Sequence, residues 1–125
     1  MRATGTVPIA IIDDDVSLCR SLGRLLRAAG FHPLSFLSAE EFLASPERPG
    51  FRCLLIDIQL GGMSGIDLHR QLLAEGDTTP VIYITAHDEP SVRIEALNTG
   101  CAGFFLKTDA GTAIIETLRR VTARS

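Results

Sequence analysis

The chain has 125 residues, 46% of them hydrophobic and 22% charged, with a formal net charge of -3 at neutral pH. This length suits one domain, and the composition is that of a globular protein rather than a disordered segment. The mild acidity argues against a surface that binds the phosphate backbone of nucleic acid. No apolar run has the length of a signal-peptide core or a membrane span, so we expect a cytoplasmic protein without a membrane partner.

The three cysteines, Cys19, Cys53 and Cys101, each lie inside an apolar pattern. An odd number of widely spaced cysteines does not indicate a disulfide framework. We therefore expect buried, reduced thiols, which suits the cytosol.

Five short apolar runs have the length and composition of strands. They cover residues 9–12, 33–36, 53–57, 81–84 and 103–106. The central run is uninterrupted and rich in branched side chains, which is typical of a strand covered on both faces. It ends at Asp57, ahead of a turn that contains Gly61 and Gly62.

Segments with helical spacing of apolar residues follow the five runs. They are predicted at 16–29, 38–45, 66–75 and 90–99, with a last helix from Thr108 or Asp109 to Ser125. Asp15 has the position of an N-cap for the first helix. Leu97 is expected on the apolar side of the fourth helix. Alternation of strand and helix with short connections predicts an α/β fold, a doubly wound parallel sheet with helices on both faces.

Polar residues stand where four of the five predicted strands end. They are Asp13 and Asp14, Asp57, Thr85, and Lys107. The carboxyl ends of parallel strands share one edge of the sheet, so these residues are expected to converge on one crevice.

This set has a chemical use. Three neighbouring carboxylates repel one another, which calls for a divalent cation, and Mg²⁺ suits oxygen ligands and phosphate. With Lys107 the positive charge would balance the three aspartates before a phosphoryl group arrives. Phosphoryl transfer depends on positioning and charge neutralisation, so Asp57 is a candidate nucleophile that forms an acyl phosphate.

The motifs resemble those of receiver domains of two-component response regulators. They are Ile-Ile-Asp-Asp-Asp at 11–15, Leu-Leu-Ile-Asp-Ile at 54–58 with Gly65 eight residues after the aspartate, Ile-Thr-Ala at 84–86 and Phe-Phe-Leu-Lys at 104–107. The surroundings of His87 are most similar to the FixJ/NarL type of transcriptional regulator, which carries a helix-turn-helix output domain. The resemblance implies a CheY-like (βα)5 fold with strand order 2-1-3-4-5. It also implies one receiver domain over residues 1–125, with no output domain in this chain.

Carried over by position, the resemblance makes Asp57 the acceptor of a phosphoryl group from a sensor histidine kinase. It implies that Mg²⁺ is bound by Asp14, Asp57 and the backbone carbonyl of Gln59, with Asp13 acting through water. Lys107 would contact the phosphoryl group.

The resemblance also implies a switch. Thr85 would be the switch hydroxyl and Phe104 the switch aromatic, while Gln59 and His87 stand at the two positions that tune the lifetime of the phosphoryl group. The implied partners, besides the kinase, are a second receiver or an output domain, with DNA bound only indirectly. Apart from its own phosphorylation and dephosphorylation, such a domain is not expected to be an enzyme.

Two departures from the family pattern stand out. Leu60-Gly61 replaces the usual Met-Pro, which is expected to loosen the loop after the acceptor. Thr108 replaces the proline that usually follows the lysine through a cis bond. A cis bond without proline costs about 3 kcal/mol, so we expect the bond before Thr108 to be trans.

Other interpretations remain open at this point. A small aspartyl-nucleophile phosphohydrolase would need a second acid where Gln59 stands, and a degenerate receiver would bind partners without phosphorylation. Several residues also have simpler expected roles. His32 and His69 are taken as surface histidines, and Gly65 as a turn glycine with positive φ.

Overall fold

Five parallel strands alternate with five α-helices over residues 7–123, the part of the chain that this computed structural model describes. The strands are β1 Val7–Ile12, β2 Phe31–Phe36, β3 Cys53–Asp57, β4 Val81–Thr85 and β5 Gly103–Leu106. They form one sheet in the order β2-β1-β3-β4-β5, and each neighbouring pair is parallel. The predicted doubly wound sheet and its strand order are therefore confirmed.

The helices lie on both faces of the sheet and enclose two apolar cores. They are α1 Val16–Ala28, α2 Ala39–Leu43, α3 Gly65–Ala74, α4 Pro90–Asn98 and α5 Gly111–Thr122, with a 3-10 turn at Arg48–Gly50. One core joins the sheet to α1 and α5, and the other joins it to α2, α3 and α4. Within residues 7–123 no helix combines the length and apolar character needed to cross a bilayer.

Three of the helices begin with a side chain that caps their first turn. The carboxylate of Asp15 accepts a hydrogen bond from the backbone N–H of Leu18 at 3.1 Å. The hydroxyls of Ser38 and Ser64 accept equivalent bonds at the starts of α2 and α3. These bonds satisfy N–H groups that have no partner inside a helix, and they confirm the predicted role of Asp15.

Three predicted element starts are wrong. Strands β1 and β2 begin at Val7 and Phe31 rather than at residues 9 and 33, because their pairing already starts with Val7 opposite Phe31. Helix α5 begins at Gly111 rather than at Thr108 or Asp109, because the carboxylate of Asp109 accepts a bond from the N–H of Leu106 and closes a turn there. The predicted end of this helix at Ser125 lies outside the described residues.

Three expectations about burial are also wrong. His69 is 4% exposed rather than a surface residue, and Leu97 is 51% exposed although it was expected on an apolar side. Cys101 is half-buried, whereas Cys19 and Cys53 are buried as predicted, and all three thiols are free. Burial raises the pKa of Cys53 to about 12, so this thiol stays protonated near neutral pH.

Candidate functional site

The register of the sheet brings the polar strand ends together. Ile12, the last residue of β1, lies beside Ile56, so Asp13 emerges next to Asp57. On the other side Thr85 pairs with Leu106, the residue before Lys107. Residues separated by as many as 94 positions along the chain therefore meet at one edge.

Lys107 bridges the two buried carboxylates at the centre of this edge. Its Nζ lies 3.1 Å from Oδ2 of Asp57 and 3.1 Å from Oδ2 of Asp13. Asp57 is 4% exposed and Asp13 is 2% exposed, while Asp14 faces solvent. The short distances and low exposure make this a desolvated ionic cluster rather than a surface ion pair.

Backbone N–H groups fix both buried carboxylates. Oδ1 of Asp57 accepts a bond from the N–H of Gln59 at 3.0 Å. Oδ1 of Asp13 accepts one from the N–H of Asp15 at 2.8 Å. Each carboxylate is thus held by the first turn of the chain that leaves its own strand, and its orientation is set before any ligand arrives.

The charges in the cluster do not balance. The pKa of Asp13 is raised to about 6, chiefly by burial and also by the nearby charge of Asp57, and the hydrogen bonds from Asp15 and Lys107 offset only part of this rise. Burial by itself lowers the pKa of Lys107, but its bonds to Asp13 and Asp57 outweigh that effect and the net shift is upward. The cluster thus holds three carboxylates and one lysine, so it has an excess of negative charge.

This excess and the geometry fit a divalent cation. One oxygen from each of Asp13, Asp14 and Asp57 lies within 4.8 Å of the others. Hard carboxylate oxygens from two buried aspartates and the exposed Asp14 form a donor set that suits Mg²⁺. The backbone N–H of Gln59 faces Asp57 while its side chain is exposed, and the predicted role of its carbonyl stays a prediction.

The fourth and fifth strands end in a connected polar pair. The Thr85 hydroxyl is fully buried, and its oxygen accepts a bond from the N–H of His87 at 3.2 Å. The N–H of Lys107 donates to the carbonyl of Thr85 at 2.8 Å. His87 itself is exposed. The described residues contain no cis peptide bond, so the bond before Thr108 is trans, as predicted.

Phe104 pairs with Tyr83 in the sheet and is half-buried. The guanidinium of Arg93, from α4, stacks over the ring at 4.9 Å from its centroid. Arg93 also donates to the carboxylate of Asp88 at 3.1 Å. Asp88 lies in the loop that leaves Thr85, so the aromatic ring and the loop are linked through one arginine, a link that the sequence does not reveal.

Gly65 has a different role from the predicted one. Its φ is not positive; instead, an added Cβ would clash with the backbone carbonyl oxygen of Asp57 and lie 2.9 Å from Cα of Ile58. Its N–H donates to the carbonyl of Ile58 at 2.9 Å. Glycine is needed here because α3 begins against the backbone of the acceptor strand.

Glu40 is a further neighbour of the site that sequence reasoning missed. It stands in the first turn of α2, and its Oε2 accepts a bond from the N–H of Met63 at 3.1 Å. The sequence offers only an indirect signal for this contact, namely the unusual Leu60-Gly61 pair in the same loop. An acidic residue in the first turn of a helix is otherwise ordinary.

A model of the response regulator receiver domain family matches residues 9–119, most of the chain. The chain belongs to this family. The receiver domain is 32% identical over 120 residues to the transcriptional regulatory protein FixJ of Azorhizobium caulinodans, which covers 96% of this chain and 57% of that protein. It is 35% identical over 99 residues to the response regulator protein TodT of Pseudomonas putida, which covers 79% of this chain and 44% of that protein. The chain thus spans about half the length of the curated relatives that it matches.

Solved structures agree with this assignment. The receiver domain superposes on the crystal structure of FixJ-N with a TM-score of 0.83 and 32% identity, covering 98% of this chain and 95% of that one. The BeF3-activated receiver domain of DrrB gives a TM-score of 0.85 at 22% identity, over 95% of this chain and 99% of that one, which shows the shared fold. Receiver domains are regulatory modules of two-component systems rather than true enzymes. They work with histidine kinases and, in transcription regulators, with output domains.

Proposed function

We propose that this receiver domain accepts a phosphoryl group on Asp57 from a sensor histidine kinase, in a reaction that depends on Mg²⁺. The observation that carries the proposal is the bridging of Asp57 and Asp13 by Lys107 at 3.1 Å, beside the exposed Asp14. Asp13 shares the burial and the lysine contact, so the choice of Asp57 as the acceptor rests on its place at the end of the central strand β3, which matches the position of the acceptor in the receiver family.

In the proposed transfer an oxygen of Asp57 attacks the phosphorus of a phosphohistidine. An O–P bond forms, the N–P bond breaks, and its electron pair stays on the imidazole nitrogen. The carboxylate is already oriented by the N–H of Gln59, so little reorganisation is needed. Lys107 lies close enough to Asp57 to exchange one carboxylate contact for a phosphoryl oxygen.

Asp13, Asp14, Asp57 and the backbone carbonyl of Gln59 would hold the cation in this proposal. A bound Mg²⁺ supplies charge neutralisation for the phosphoryl oxygens. The raised pKa of Asp13 supports this arrangement, because burial and the nearby charge of Asp57 disfavour the ionised carboxylate and a cation beside it would favour that form.

The proposed switch starts at Thr85. Its hydroxyl accepts one hydrogen bond, from the N–H of His87, and could instead move toward a phosphoryl group on Asp57. Such a movement would shift the loop that contains Asp88. Because Asp88 is paired with Arg93, it would also shift the guanidinium that covers the ring of Phe104. Gln59 and His87, which are exposed and follow Asp57 and Thr85 by two residues, are proposed to tune the lifetime of the phosphoryl group.

The consequence of the switch is proposed to be pairing with a second receiver or control of an output domain, most simply in transcription. The support is the similarity to FixJ, a transcriptional regulatory protein of which the receiver domain covers 57%. Residues 1–125 are proposed to form the receiver domain alone.

Intact-mass spectrometry after incubation with acetyl phosphate tests the proposal. We expect a gain of one phosphoryl group that requires Mg²⁺ and is lost in Asp57→Asn. Asp67→Asn serves as the matched control, because Asp67 is an exposed aspartate on α3 away from the cluster. Modification that persists in Asp57→Asn, or turnover of an external phosphoester, would contradict the proposal and favour another acceptor or an enzyme.

A further inference from the structure

The chain between Asp57 and α3 is a glycine-rich segment, residues 59–64, which we call the acceptor loop. Its first residue is tied to the site, since the N–H of Gln59 donates to Asp57. Its far end is tied by the N–H of Gly65, which donates to the carbonyl of Ile58. Both of these contacts are local. The middle of the loop depends on a contact from elsewhere in the fold.

That contact comes from α2. Oε2 of Glu40 accepts a hydrogen bond from the N–H of Met63 at 3.1 Å, across 23 residues of sequence. The same carboxylate packs against Gly62, where an added Cβ would lie 3.1 Å from Oε2 and 3.4 Å from Oε1. Gly62 has φ of +79°, a conformation that other residues rarely adopt. The loop is thus shaped to receive the carboxylate of Glu40.

The loop needs such a contact because its own sequence is flexible. Gly61 and Gly62 are adjacent, and glycine loses more backbone freedom on ordering than any other residue. Within residues 7–123 neither of their N–H groups donates to a protein acceptor. Leu60 is 8% exposed and anchors one side chain, but one buried side chain does not fix the backbone on both sides of it.

We propose that Glu40 is a positioning residue for the phosphoacceptor site. Its carboxylate holds the acceptor loop in the conformation that presents the backbone of Gln59 to the cation beside Asp57. Glu40 touches neither the cation nor the phosphoryl group in this arrangement; it acts through the backbone at Gly62 and Met63. The inference rests on the proposed Mg²⁺-dependent function and adds a residue of α2 to it.

Hydrogen bonding must be separated from charge, because Glu40 also adds a negative charge near an acidic site. Glu40→Gln removes the charge and keeps a side-chain oxygen that can accept from the N–H of Met63. Glu40→Ala removes both. If the contact matters, Glu40→Gln resembles the parent protein and Glu40→Ala does not. If only the charge matters, the two variants behave alike.

The experiment measures two quantities on the whole chain. Mg²⁺ dissociation constants come from amide chemical shifts, and amide hydrogen exchange of residues 59–64 is followed without Mg²⁺. For Glu40→Ala we expect about threefold to tenfold weaker Mg²⁺ binding, which is the net effect of one hydrogen bond. We also expect faster exchange at Met63 in the metal-free protein, a result that does not depend on cation binding.

Glu116→Ala is the matched control, because Glu116 is an exposed glutamate in α5, on the opposite face of the sheet. It should leave both quantities unchanged. Parent-like Mg²⁺ binding and exchange in Glu40→Ala, or equal weakening in Glu40→Gln and Glu40→Ala, would overturn the inference while leaving the proposed function intact. Absence of Mg²⁺ binding in the parent protein would overturn the proposed function and this inference with it.

Discussion

Helices α1 and α4 both follow strands that end at the site, yet the fold holds them in different ways. Helix α1 begins with the Asp15 cap and buries a continuous apolar stripe that includes Leu22 and Leu26, which are 6% and 0% exposed. Full burial of a leucine side chain stabilises the folded state by about 1.5–3 kcal/mol, and close-packed interiors leave little room for such side chains to move. Helix α1 therefore forms the fixed side of the site.

Helix α4 lacks such a stripe. It has no side-chain cap, Ala96 is its only fully buried residue, and Ile94 and Leu97 are 60% and 51% exposed. It is held instead by polar contacts, among them Thr99 just after its last turn. A helix with few buried apolar contacts opens at a lower free energy than the rest of a domain. One side of the site is therefore held by apolar packing, and the other side has fewer buried contacts and should open more easily.

The polar contacts at the end of α4 form a trio of side chains, in which His69 and Tyr83 are buried and Thr99 is half-buried. Nδ1 of His69 lies 2.9 Å from the hydroxyl of Tyr83 and 3.1 Å from Oγ1 of Thr99. The two hydroxyl oxygens are 3.1 Å apart, and the O–H of Thr99 donates to the carbonyl of Ala96 at 2.6 Å. The trio joins α3, β4 and α4 through hydrogen bonds, which depend on geometry and protonation in a way that apolar packing does not.

Matched deletions in the two helices should give the largest effect. Leu26→Ala removes a fully buried side chain from α1 and should lower the free energy of unfolding by about 2–5 kcal/mol. Leu97→Ala removes an exposed side chain from α4 and should change it by about 0.5 kcal/mol or less. Urea denaturation of both variants measures the difference. Equal losses would mean that α4 is as firmly packed as α1.

Protonation of His69 should weaken the trio. Burial lowers the pKa of His69, although the charge of Asp77 opposes the shift, so the folded protein binds this proton less readily than the unfolded chain. Above the unfolded value of 6.5 both states are neutral and the group contributes nothing. As the pH falls below 6.5 the unfolded state gains a proton, and folded stability decreases until the folded site also titrates.

The comparison of variants isolates this contribution. Stability of the parent protein and of His69→Asn is measured by urea denaturation between pH 5 and pH 8, with His32→Asn as an exposed control. We expect His69→Asn to lose stability at pH 8, where it removes hydrogen bonds, but to lose less on acidification than the parent. Asp13 titrates in the opposite sense over part of this range, because its raised pKa favours the folded state at low pH. A parent and variant with parallel pH profiles would show that His69 is not the responsible group.

The least destabilising change proposed at the switch side of the site is Arg93→Ala. Its guanidinium joins Asp88 to the ring of Phe104, but both ionic partners are nearly half exposed. We therefore expect Arg93→Ala to change the free energy of unfolding by less than about 1 kcal/mol. The local effect should be clearer, since the ring of Phe104 loses its cover and its NMR signals should shift.

Arg119→Ala is the control for this substitution, because Arg119 is an exposed arginine on α5. It should leave the signals of Phe104 in place. If Arg93→Ala also left them in place, the link between the loop of Asp88 and the aromatic ring would be without consequence.

Much of the architecture could be predicted from local patterns. The unbroken apolar run of β3 predicts a strand covered on both faces, and the convergence of Asp13, Asp57 and Lys107 follows from parallel pairing alone. The start of β2 was missed because Pro33 and the exposed His32 interrupt its pattern, although the strand still pairs with β1 there. The start of α5 was missed because Asp109 closes a turn instead of capping the helix.

Errors about single side chains have another origin. A histidine on a helix gives the same signal whether it faces solvent or the hydroxyls of Tyr83 and Thr99, so His69 could not be placed in advance. The apolar pattern of α4 likewise does not say which of its residues meet the core, and Leu97 does not. Gly65 is needed for a close approach between α3 and β3, which is a property of two elements rather than one.

The sequence by itself determined the strands, most of the helices, the acidic edge and its lysine, because hydrophobic periodicity and the ends of parallel strands are fixed by the chain's own order. Only the tertiary structure decided the distances in the acidic cluster and the contact of Glu40 with the acceptor loop. It alone also placed Arg93 over Phe104 and joined His69, Tyr83 and Thr99. These depend on side chains from separate elements meeting at hydrogen-bond distance, and no local pattern encodes a distance between elements that pack only when the whole sheet has formed.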